Sequence, residues 1–168
     1  YGTVTGVQTC ALPISSGMTR SIPIEKILDD CIIAWAMNGE ALRPEQGYPA
    51  RLVVPGWEGN MWVKWIRRLE FGDKPYMTRE ETSKYTDLLT SGKARMFTWV
   101  MDAKSVITSP SPEKPILAKG LHQLRGLAWS GRGKIKRVDV SIDGGKNWKT
   151  AQLHSPVLSK SLTRFTLP

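Results

Sequence analysis

Cysteine is almost missing from this 168-residue chain: Cys10 and Cys31 are the only two, and histidine is as rare, with His122 and His154 alone. A structural zinc site takes four such ligands at short spacing. Neither histidine has a cysteine or carboxylate cluster beside it, so no metal ligand is expected here. No apolar run approaches the roughly 20 residues that cross a bilayer, which excludes a membrane-spanning helix. Acids are also scarce, 15 against 24 bases, leaving a formal net charge of +9. Such a surplus can serve phosphate binding. Yet the bases are spread along the chain, with six Lys and Arg free of acids only in residues 119–137. No zinc-finger spacing or RNA-binding signature accompanies them, and the tryptophans at 35, 57, 62, 65, 99, 129 and 148 read as core rather than as a stacking ladder. Nucleic acid is therefore not the expected partner; the basic surface is solvated or meets an acidic protein.

What is present organises into three parts. Residues 4–14, VTGVQTCALPI, match one translation frame of a common sequencing adapter. They lack the Lys or Arg and the long apolar stretch of a secretory signal. Residues 1–14 are accordingly expected to be an artefact, extended and poorly packed, joined to a gene fragment. That leaves Cys31 without an intrachain disulfide partner, so cysteine usage does not reveal the compartment. Residues 15–95 form a first domain. Ser21 and Pro23 open a short helix, Ser21 as its cap. The apolar runs 31–37, 51–54 and 62–69 have strand length, the first ending at Asn38-Gly39, a two-residue turn signal. Residues 76–95 are a polar excursion in which Thr78 to Glu81 can start a helical turn. Residues 96–168 are uniformly β in pattern, with Val138, Val140 and Ile142 alternating onto one face and a Gly144-Gly145 turn following. The expected class is α+β, mainly β, with an immunoglobulin-like sandwich at the end.

Three blocks carry more than pattern: residues 38–68, NGEALRPEQGYPARLVVPGWEGNMWVKWIRR, then REETSKYTDL at 79–88, then GLAWSGRGKIKRVDVSIDGGKNW at 126–148. In this order and spacing they resemble the molybdopterin oxidoreductases of the sulfite oxidase family, and within it the sulfur (sulfane) dehydrogenase branch, the molybdenum subunit of the Sox thiosulfate-oxidising system. The resemblance covers about residues 17–167. It implies that residues 15–95 are the C-terminal part of a molybdopterin-binding domain and that 96–168 are the dimerisation domain, cut short. With the abrupt LTRFTLP end, a fragment that is inactive by itself is expected.

The resemblance also assigns residues. Arg51 falls on the family's "xPxR" cation, suited to a bidentate phosphate contact, and Trp62, Val63 and Lys64 on its three-residue pterin contact, Lys64 as a point charge. Gln46 stands where sulfite oxidases have a histidine and still offers a donor and an acceptor. Gly47 and Gly56 flank the site as backbone-conformation residues. Tyr85 in SKYTD takes the place of the family tyrosine that contacts the substrate oxyanion; a phenol can donate to a developing anionic oxygen without adding charge. Cys31, in an apolar run, is read as a small hydrophobe and not as the molybdenum thiolate. The implied function is oxidation of sulfite or a carrier-bound sulfane sulfur by a periplasmic molybdenum enzyme, a homodimer through its sandwich, with electrons passing to a c-type cytochrome. The rival reading is a non-enzymatic β-sandwich assembly module. Convergence of Arg51 and Lys64 on one site discriminates between the two.

Overall fold

The computed structural model describes residues 6–11, 18–116 and 118–168. It divides into two compact units, Tyr1–Trp99 and Val100–Pro168. The division falls just beyond the Arg95 boundary expected from composition, and Phe97 and Trp99 pack with the first unit, where Trp57 and Trp99 stack at 5.0 Å.

The first unit opens with β1 (Gly6–Ala11), β2 (Met18–Ile22), α1 (Ile24–Asp30) and β3 (Ile32–Ala34). A hairpin of β4 (Ala36–Met37) and β5 (Glu40–Ala41) follows, then β6 (Arg51–Val53) and β7 (Ile66–Gly72). The unit ends with α2 (Arg79–Lys84), β8 (Thr86–Leu88) and β9 (Ala94–Met96). β1 is the middle strand of an antiparallel sheet ordered β2-β1-β7, with Val7 opposite both Ile22 and Phe71. This corrects the expectation that residues 4–14 stay out of the sheet; residues 1–5 and 12–14 of that segment lie outside the described residues. GVQTCA has neither proline nor charge and includes β-branched Val7 and Thr9, so it can pair along both edges, a demand that side-chain alternation does not reveal.

Three local expectations change as well. Ser21 does not cap α1, whose N-cap is Pro23 with no side-chain cap bond; Ser21 lies in β2 and bonds to α2 instead. The run 31–37 bends at Trp35 into two strands, and in the run 62–69 only the part from Ile66 is strand. The Asn38-Gly39 turn does form, with both residues at positive φ (55° and 83°), as a tight hairpin needs. The core of this unit gathers Ile22, Leu42, Leu52, Val54, Trp57, Met61, Val63 and Phe97.

The second unit is the immunoglobulin-like part. β10 (Lys104–Ser109), β11 (Leu124–Trp129), β14 (Gln152–Leu153) and β15 (Thr163–Leu167) form one antiparallel sheet in the order β10-β11-β15-β14. β12 (Asp139–Val140) and β13 (Lys149–Thr150) pair separately. Ala128, Val140, Ala151, Phe165 and Leu167 share one core. Gly126 is required there, because a Cβ would lie 2.2 Å from the Phe165 ring. Val138 and Val140 face inward as their alternation requires, but Ile142 is 77 % exposed. β12 has already ended, and the chain enters a turn in which the N–H and side chain of Asn147 and the Ser141 hydroxyl hold Asp143 at a pKa of about 2. The tryptophans are not uniformly core: Trp35 and Trp148 are 72 % and 63 % exposed, and the Trp148 indole N–H closes the turn by donating to the Gly145 carbonyl.

Candidate functional site

The signature segment builds its site around a short 3-10 turn, Pro44–Gln46, which the Gly47 N–H closes by donating to the Pro44 carbonyl at 3.1 Å, and whose carbonyls also receive side chains from outside the turn. Trp65 Nε1 donates to the Pro44 carbonyl at 3.0 Å, Lys64 Nζ to that of Glu45 at 2.6 Å, and Arg51 Nη1 to that of Gln46 at 3.0 Å. Gly47 ends the turn at φ 113°. A Cβ there would stand 3.0 Å from the Lys64 Cβ and 3.2 Å from the Arg51 Cβ. Glycine therefore brings the turn down between these two residues, and the pair meet one edge.

The remaining candidates extend that edge. Val63 is buried and its carbonyl accepts the Leu52 N–H at 2.8 Å, which ties the contact segment to β6. The Trp62 carbonyl receives Arg51 Nη2 at 3.4 Å, and the Arg51 guanidinium lies 5.8 Å from the Trp62 ring centre. The Trp62 indole donates to the Trp57 carbonyl at 3.1 Å. Gln46 spends its side-chain oxygen on the Arg43 N–H at 3.0 Å. Bonds from cations to a turn's last carbonyls are ordinary in themselves. What goes beyond them is that neither Arg51 nor Lys64 has a carboxylate partner among the described residues. Moreover, Arg51 Nε is buried with no hydrogen-bond partner among the described residues. Two acid-free cations, one with an orphaned donor, beside a glycine-lined cradle fit a phosphate-bearing pterin.

Tyr85 stands elsewhere, at the C-terminus of α2. Its N–H donates to the Glu81 carbonyl at 3.3 Å and its carbonyl accepts the Thr98 N–H at 2.8 Å. The Arg20 guanidinium lies 4.8 Å from its ring centre. Arg20, in turn, donates from Nε to the Asn60 carbonyl at 3.2 Å. Asn60 belongs to the 3-10 turn Gly59–Met61, which leads directly into Trp62. The tyrosine and the cation edge are thus joined through one turn.

Sequence reasoning missed the polar seam that places α2. Arg20, Ser21 and Glu81 are each 3 % exposed or less. Glu81 accepts from the Ser21 N–H and hydroxyl, and from the Thr78 N–H and hydroxyl at 3.2 and 3.0 Å. The T-x-x-E spacing of a capping box was the available signal for the Thr78 half. Nothing in sequence marked the Ser21 half, sixty positions away.

With the geometry in view, comparison with known proteins identifies the segments. Residues 2–80 match the oxidoreductase molybdopterin binding domain and residues 95–164 the Mo-co oxidoreductase dimerisation domain. The chain is similar to the mitochondrial sulfite oxidase of Drosophila melanogaster, 35% identical over 84% of the chain and 27% of the relative. It is also similar to the NADPH nitrate reductase of Mycosarcoma maydis, 34% identical over 77% and 16%. Among solved structures, the sulfane dehydrogenase SoxCD of Paracoccus pantotrophus superposes with a TM-score of 0.90 at 61% identity, over 98% of this chain and 42% of that one. The chain thus spans less than half the length of each of these relatives. By these matches the chain belongs to the molybdopterin-binding oxidoreductases of the sulfite oxidase family.

Proposed function

We propose that this chain supplies the pterin-holding edge and the dimerisation unit of a periplasmic molybdenum enzyme that oxidises sulfite or a carrier-bound sulfane sulfur and passes electrons to a c-type cytochrome. The observation that carries the reading is the acid-free approach of Arg51 and Lys64 to the glycine at position 47. When bound, the molybdenum cofactor supplies two-electron, oxygen-transfer chemistry at sulfur. Arg51 offers a planar fork and an unspent Nε–H to the pterin phosphate, and Lys64 a mobile point charge. Trp62 and Val63 lend a rigid backbone, and Gln46 a neutral amide at the rim. Tyr85, seated at the end of α2, donates its hydroxyl to anionic oxygen on the substrate. The likeness to SoxCD favours a sulfur substrate over nitrate, and the sandwich unit makes the enzyme a homodimer.

The test is cofactor retention in the complete enzyme. Arg51→Ala and Lys64→Ala each remove a charge-assisted contact of about 1.5–3 kcal/mol, so each purified variant should lose pterin about tenfold more readily, or worse. Molybdenum by mass spectrometry and pterin by fluorescence after oxidation measure it. Normal content in both variants would return the chain to the assembly-module reading.

A further inference from the structure

Arg20 is 2 % exposed, yet among the described residues it has no carboxylate partner: its bonds run from Nε to the Asn60 carbonyl and from Nη1 to the Thr19 carbonyl, at 3.2 and 2.9 Å. A guanidinium held out of water without a counter-ion is costly, so its place needs a reason. If joining β2 to the turn Gly59–Met61 were all that is required, an apolar side chain would serve at lower cost. The guanidinium carbon lies over the Tyr85 ring, 4.8 Å from its centre. The Tyr85 backbone is already bonded on both sides, to Glu81 and Thr98, so the ring's rotation about its side-chain bonds is the freedom left. A cation held over the ring restricts it.

We infer that Arg20 is a positioning residue: it fixes the Tyr85 phenol relative to the turn that carries Trp62, and so sets the spacing between the substrate-contacting hydroxyl and the pterin edge. β2 is well placed for the task. Its neighbours Thr19 and Ser21 bind the start of α2, Thr19 through its carbonyl to the Thr78 hydroxyl at 3.3 Å and Ser21 to Glu81. One strand therefore grips both ends of the helix, by backbone at the first turn and by guanidinium at the last. Lysine can keep the charge but not the flat face or the two-directional donors. The inference rests on the role proposed above for Tyr85.

A double-mutant cycle in the complete holoenzyme tests it. Arg20→Lys should lower kcat/KM on the order of 10- to 100-fold, as a small misplacement of a reacting group does, with unchanged molybdenum content and a thermal midpoint close to that of the parent. Arg20→Met should lower it further. In a Tyr85→Phe background the same Arg20→Lys change should cost less than about twofold, because its effect passes through the phenol. Multiplicative losses in the double variant, or loss of cofactor from Arg20→Lys, would overturn the inference while leaving Tyr85 in its role. If Tyr85→Phe alone leaves kcat/KM unchanged, the reading of Tyr85 falls and this inference with it.

Discussion

Beneath the surface of the first unit lie a guanidinium, a hydroxyl and a carboxylate, those of Arg20, Ser21 and Glu81, whereas the sandwich unit buries, among the described residues, one polar side chain, Thr163, within an aliphatic and aromatic core. The units solve different problems. An apolar core is stabilised by area removed from water and tolerates small displacements of its parts. A buried polar network stabilises less for its volume but fixes directions, because each hydrogen bond specifies a distance and an angle. The first unit accepts that cost around Tyr85 and the turn Gly59–Met61, where the function proposed above needs a cofactor and a substrate held in register. The second, matching a dimerisation domain, needs shape alone.

The sharpest way to break this comparison is to damage the scaffold and ask whether the site notices. Phe165→Ala empties a position 2 % exposed and opposite Gly126, and should cost about 3–5 kcal/mol in a denaturant titration. Molybdenum content of the folded fraction should be unchanged; equal loss of metal would show that the units are not separate in function. Glu81→Ala comes next, at about 2–4 kcal/mol, since it strands buried donors on Ser21 and Thr78 that each cost roughly 1–3 kcal/mol unmet. Unlike Phe165→Ala, it should also reduce kcat/KM, because α2 and Tyr85 lose their anchor to β2. A stability loss with kinetics intact would remove the seam from the site. The smallest effect on stability is expected from Gly47→Ala, about 1–2 kcal/mol for an L-residue at φ 113°. Its new Cβ presses on Lys64 and Arg51, so pterin retention should fall even though the fold persists. Retention equal to that of the parent would detach the cradle from cofactor binding.

Much of this was legible because it depends on a few adjacent residues. The Asn38-Gly39 and Gly144-Gly145 turns follow from residues that accept positive φ. Thr78 and Glu81 announced the start of α2, and the cation positions 51 and 64 were marked by a motif whose spacing survives in one chain. Where the reading failed, the deciding partner was remote. Ser21 has the chemistry of a helix cap, but Glu81 competes for it from sixty positions away. Ile142 continues an alternation that the strand does not, since the turn around Asp143 takes over.

By itself the sequence determined the class, the two-part division and the hairpin turns, because propensity and period are local properties, while the cofactor-holding residues were proposed from a motif's resemblance. Only the tertiary structure decided that β1 fills the middle of a sheet, that Gly47 brings Arg51 and Lys64 to one edge, and that Arg20 lies on Tyr85. Each of these depends on backbone pairing or side-chain approach across more than ten positions of chain. Such contacts are selected by the burial of a whole domain, and no window of sequence contains both partners with the water they exclude.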